Sequence, residues 1–84
     1  MPPVPPERDD AQIALGQAIR QIRVERKLTQ EALALKAGFH ETYISFIESG
    51  RRNPTWGAIR KISYALDLPL PDLIRKVEEL EEEG

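Results

Sequence analysis

His40 is the one histidine of this 84-residue chain, and there is no cysteine. Thiol nucleophiles, thiolate zinc sites and multi-histidine metal sites are therefore excluded. No histidine–carboxylate cluster and no glycine-rich phosphate loop is written in the sequence, so nothing marks it as an enzyme. A lone histidine at a helix start fits a cap or a binding contact better than a general base. The chemistry left is ionic and hydrogen-bonding. From Arg20 to Lys61, nine cations stand against four carboxylates, whereas the last eight residues hold five glutamates and no base. The net charge of −2 conceals this division. A locally basic segment suits phosphate contacts, which respond to nearby charge. The same cations also fit solvated helix faces, and charge alone does not separate the two roles.

Elements must position these groups. No apolar run reaches the length of a membrane span, and no basic-then-apolar leader opens the chain. Without cysteine the core is purely hydrophobic, which at this size favours compact helices, and the composition fits a reducing cytoplasm. Residues 1–9 begin MPPVPP and read as a disordered, proline-rich arm. Asp9 or Asp10 offers an N-cap for a first helix running to about Arg26, with Ala11, Leu15, Ala18, Ile19 and Ile22 on one apolar stripe. Thr29 caps a second helix, stapled by Leu28 and Leu33, and Gly38 ends it in a left-handed conformation. Phe39 and Ile44 staple a third helix around a cap at His40, and Gly50 ends that one. Thr55 caps a fourth helix, predicted to bury Trp56, Ile59, Ile62 and Leu66. Pro71 opens a fifth carrying Leu73, Ile74, Val77 and Leu80, whose acidic end should fray. The expected organisation is an arm over 1–9, an all-α domain over 10–76, and an acidic helix end or tail over 77–84.

A link as short as Gly38 and its neighbours cannot lay two helices antiparallel. It fits the steep crossing of a helix-turn-helix, with Ala34 as the small residue at the contact. Over Gln30 to Ser49 the segment QEALALKAGFHETYISFIES has Gln30 first, Ala34 fifth, Gly38 ninth, Phe39 tenth, Ile44 fifteenth and Ile47 eighteenth. With its flanks IRQIRVERKLTQEALA and YISFIESGRRNPTW, it resembles the phage-repressor (Xre-type) helix-turn-helix family from roughly Leu15 to Ile74. Its short length and the run ETYISFIESGRRN also resemble the restriction–modification controller subclass. The resemblance implies a compact five-helix, lambda-repressor-like domain. It also implies a sequence-specific regulator of transcription, cytoplasmic and nucleoid-associated, encoded by a bacterium or phage.

In that family the second helix of the motif enters the major groove and reads base edges. The resemblance places His40, Glu41, Thr42, Ser45 and Phe46 at those base-contacting positions. Thr42 and Ser45 suit either kind of base edge, Glu41 a cytosine amino group, and Phe46 a thymine methyl. Two roles stay open for Glu41, a base contact or support of the helix start. Two stay open for Phe46, a base contact or a place in a local apolar cluster. Backbone phosphates would meet Thr29, Gln30, Arg51, Arg52 and Asn53, and Tyr43 either reaches a phosphate or fills the core edge. Arg23 and Glu48 match an ion pair of the family, expected to be partly buried and to fix the first helix against the third.

One short recognition helix reads few base pairs, so a homodimer on spaced half-sites is expected. Trp56, Leu73, Val77 and Leu80 are its candidate surfaces, with a place in the chain's own core as the other role for Trp56. The implied partner is double-stranded DNA, with no cofactor, metal, membrane or small-molecule ligand. An alternative of another class is a protein-interaction module, an antitoxin or adaptor, that reuses the same helices. An exposed, positive face around Gln30, Thr42, Ser45, Arg51 and Arg52 favours DNA; a face covered by a partner chain favours the module.

Overall fold

The computed structural model describes residues 8–83 as five helices with no strand among them. Helix α1 spans Arg8–Glu25, α2 Gln30–Ala37, α3 Glu41–Glu48, α4 Trp56–Ala65 and α5 Leu70–Glu83. The first seven residues of the proline-rich arm lie outside the described residues. Helix α1 starts at Arg8, so Asp9 and Asp10 lie within its first turn rather than outside it as caps. Helix α5 continues through its glutamates to Glu83, across the expected division at residue 77.

The apolar stripes converge on one core. Ile19, Leu33, Ile44, Ile47, Ile62, Leu66 and Leu73 are each at most 1% exposed. Truncating any one of them to alanine removes about 2–5 kcal/mol through lost burial and the cavity left behind. Helix α1 packs on α5 and α3, α2 on α3 and α4, and α4 on α5. Leu28 and Phe39, the outer members of the two staples, lie half-buried against this core. Leu73 is therefore a core residue and is unavailable to a dimer partner. Val77 and Leu80 pack half-buried beside it.

All four inter-helix links open with the same hydrogen-bonded turn. Lys27, Gly38, Gly50 and Asp67 are left-handed, with φ of 59°, 80°, 80° and 54°. In each turn this residue and the next donate backbone N–H groups to carbonyls three and five residues back, the pairing that closes a helix C-terminus. The glycines match the sequence reading; Lys27 and Asp67 do the same work with a side chain that disfavours it. After the first, second and fourth of these turns comes an apolar residue packed on the core: Leu28, Phe39 and Leu68. After the third comes Arg51, exposed to solvent.

The stripe predicted for α4 is only partly internal. Ile62 and Leu66 are buried and Ile59 half-buried, but Trp56 is 59% exposed. Trp56 is the first residue of α4, immediately after the Thr55 cap, and its ring leaves the core. Thr55 Oγ1 accepts from the Ala58 N–H at 3.1 Å.

Candidate nucleic-acid interface

Helix α3 is eight residues long, too short to be stable alone, so its position is set by what grips it. At its start His40 Nδ1 accepts from the Thr42 N–H at 3.1 Å, giving an unusual but formed N-cap. That bond occupies Nδ1, and the residue is otherwise exposed. At the other end three residues of α1 hold α3. Gln12 Nε2 donates to the Gly50 carbonyl at 3.1 Å. Gly16 brings backbone against backbone: a β-carbon there would overlap the Ile47 carbonyl oxygen and stand 2.8 Å from that of Glu48. Arg23 grips the Glu48 carboxylate with both arms, Nε to Oε2 at 2.6 Å and Nη2 to Oε1 at 3.0 Å.

The expected ion pair is thus present, with side-chain exposures of 12% for Arg23 and 3% for Glu48. Two further hydrogen bonds tie the pair into its surroundings. Arg23 Nη1 donates to the Leu28 carbonyl at 2.7 Å, and Gln30 Nε2 donates to Glu48 Oε1 at 3.1 Å. A buried pair satisfied in this way stands or falls as a unit, because removing one partner strands the other's charge. Gln30, placed by resemblance at a phosphate, is thus half-buried and held by Glu48.

Capped at its start and gripped at its end, α3 turns one ridge outward. Thr42, Phe46 and Ser49 recur at four- and three-residue spacing and are all exposed, Phe46 by 37%. Phe46 therefore lies outside the core. Glu41 is exposed at the first position of the helix, where a carboxylate also favours the helix start. Ser45 is half-buried on the flank toward α1, in a cleft it shares with Gln30 and Glu48. Ser49, absent from the sequence-level set, belongs to the ridge, and its hydroxyl donates to the Phe46 carbonyl at 3.1 Å.

The opposite flank is a pair of rings with a cation on the far side of each. The Phe39 and Tyr43 rings lie 4.9 Å apart at an interplanar angle of 56°. The Arg52 guanidinium sits 5.5 Å from the centre of the Tyr43 ring, and Lys61 Nζ lies 5.7 Å from that of Phe39. Tyr43 is half-buried and packed against the core edge, and its ring also touches Arg52 of the loop after α3. Arg52 is also tied through its backbone N–H to the Phe46 carbonyl at 3.2 Å. Arg51, Arg52 and Asn53 are all exposed. The ridge, the Thr29 cap and this basic loop surround the motif, and no other part of the described chain covers them. Gln12, Gly16 and the Gln30–Glu48 bond escaped the sequence reading. An isolated glycine inside an apolar helical stripe was the available signal for Gly16.

Residues 19–73 match the family model described as Helix-turn-helix. The chain belongs to the helix-turn-helix family. Its relatives include control protein C.BamHI of Bacillus amyloliquefaciens, 42% identical over 67 residues that cover 79% of this chain and 83% of the relative. Among solved structures, the restriction-modification controller protein C.AhdI from Aeromonas hydrophila shares 34% identity and a TM-score of 0.72. The match covers 74% of this chain and 94% of that one. The C.Esp1396I controller, solved as a tetramer in complex with its natural 35 base-pair operator, shares 30% identity and a TM-score of 0.80. There the coverage is 84% and 93%. The five-helix architecture and the Xre-type likeness read from the sequence both hold for this helix-turn-helix protein. Among the described residues, no helix is long and apolar enough to cross a membrane, and no three metal-ligating side chains gather.

Proposed function

We propose that this chain is a sequence-specific, double-stranded-DNA-binding regulator of transcription, acting in the cytoplasm as a homodimer on an operator. It works by binding, without catalysis and without a cofactor. Helix α3 enters the major groove N-terminus first, where Thr42 and, one turn on, Phe46 meet base edges and Glu41 discriminates by accepting from a cytosine amino group. Arg51, Arg52 and Asn53 hold the DNA backbone beside it, with Thr29 and Gln30 at the other flank. The observation that carries this reading is the exposed Thr42–Phe46–Ser49 ridge on a helix capped at its start by His40, clamped to α1 at its end and bordered by a basic loop. Likeness to C.BamHI, C.AhdI and the operator-bound C.Esp1396I supports it and favours a controller role in a restriction–modification system.

A second copy docks on α4. Trp56, Arg60 and Tyr64 follow one another at four-residue spacing on one side of that helix, with Trp56 59% and Tyr64 88% exposed. Aromatic rings left in solvent on one face are what a partner surface needs. Beside them the groove between α2 and α4, floored by Leu68 and Leu70, continues the apolar area. Of the four candidates from the sequence, Trp56 lies on this face, Leu73 is buried in the core, and Val77 and Leu80 stay partly accessible on α5.

Selection from a pool of random duplexes, followed by sequencing and repeated across salt, tests the proposal. Enrichment of a two-fold-related site, with affinity falling steeply as salt rises, is the expected result. Folded protein that enriches no sequence at low salt would overturn it and favour the protein-interaction alternative.

A further inference from the structure

We propose that the cleft between α1 and α3 seats a DNA phosphate and that Arg20 supplies its charge. This inference rests on the DNA-binding reading and adds to it a contact on α1, a helix outside the helix-turn-helix motif. Six residues line the cleft: Arg20, Arg23, Gln30, Ser45, Glu48 and Ser49. The charges of Arg23 and Glu48 cancel in their two-armed pair, so the net charge of the lining is that of Arg20. Arg20 is exposed. The described residues form two ion pairs, Arg23–Glu48 and Arg75–Asp72, and Arg20 takes part in neither.

The ordinary explanation for an exposed helical arginine is a carboxylate one turn away. Here the residues three and four positions from Arg20 are Gly16, Gln17, Arg23 and Val24, none of them acidic. Arg20 also borders the groove between α1 and α5, where Glu25 and Glu83 stand, but it bonds to neither. On the cleft side its neighbours suit an anion. The Ser45 side chain is half-buried beside the recognition ridge, and the Gln30 amide is already oriented by Glu48. A phosphodiester entering the cleft would be flanked by the Arg20 guanidinium, the Ser45 hydroxyl and the Gln30 amide. It would lie on the side of α3 opposite the Arg52–Tyr43 stack, so the two strands bordering the groove would each be held by one flank of α3.

The test compares wild type, Arg20→Ala and Arg20→Lys on the selected duplex and on a scrambled duplex across a salt series. Arg20→Ala should weaken both duplexes by the same several-fold factor. It should also reduce the slope of log affinity against log salt by about 1.8 for a dimer, one phosphate per copy. Arg20→Lys should retain most of the slope. The thermal midpoint of Arg20→Ala should stay near that of wild type, since the side chain makes no ion pair. A slope unchanged in Arg20→Ala, in a wild type that binds DNA, would overturn the cleft contact alone. A loss confined to the selected duplex would also overturn it, by making Arg20 a base reader. A wild type that binds neither duplex would overturn the operator reading together with this one.

Discussion

Gly16 lies directly under the end of α3, where a β-carbon would overlap the carbonyl oxygen of Ile47. Alanine normally improves a helix interior by about 1 kcal/mol over glycine. Here the opposite sign is expected, because the atom it would strike is rigid backbone and the two helices must separate. Gly16→Ala should lower the urea midpoint despite its better helix propensity. It should also weaken DNA binding, since α1 sets the tilt of the recognition helix. Chemical denaturation of the two proteins checks this, and a stabilised Gly16→Ala would show that α1 does not grip α3 by this contact.

The Arg23–Glu48 pair should behave as a unit. Arg23→Met or Glu48→Met alone should cost about 3–5 kcal/mol, because each leaves a buried charge unpaired. The double replacement should cost less than the two singles combined, and a double-mutant cycle measures that coupling. Additive losses would mean that the two charges do not depend on one another.

The two left-handed turns without glycine give a prediction of opposite sign. Lys27→Gly and Asp67→Gly should each raise stability by about 0.5–1 kcal/mol, relieving the crowding of a β-carbon at positive φ. Gly38→Ala should lower it by about 1 kcal/mol through backbone strain alone, since nothing lies within 4 Å of the β-carbon it would add. Thermal melts of the three variants decide the matter.

The α4 face should control assembly without controlling the fold. Tyr64→Glu places a charge where the ring is 88% exposed, so the monomer should lose little stability. Its dimer dissociation constant should rise at least about tenfold through desolvation of the new charge and loss of the aromatic contact. Sedimentation equilibrium reads this directly. A dimer that persists unchanged in both Tyr64→Glu and Trp56→Glu would place the interface elsewhere.

Fold and motif were legible in the sequence because local signals agreed there. Thr29 and Thr55 cap as read, Gly38 and Gly50 terminate as read, and the apolar spacing places Ile19, Leu33, Ile44 and Ile62 in one core. Burial of Trp56 was not legible because its place on the apolar stripe of α4 says nothing of how far the neighbouring helices extend to cover it; of its two open roles, the exposed one remains. Leu73 misled in reverse: α5 spends its innermost position on the chain's own core. The grip of Gln12 and Gly16 on the end of α3 is long-range, a side-chain bond to the Gly50 carbonyl and a close backbone approach, and no local pattern reports either. The resemblance places Gln30 and Ser45 among DNA contacts; what no local pattern shows is that the two share a cleft with Glu48.

The central claim is that α3 and the loop after it form the face presented to DNA. Titrating isotope-labelled protein with the selected duplex, and following each backbone amide by nuclear magnetic resonance, tests it most directly. The largest shifts are expected at residues 29–30, 40–46 and 49–53, with α4 and the end of α5 little changed. Shifts concentrated on α4 and α5, with residues 40–46 unmoved, would contradict the account.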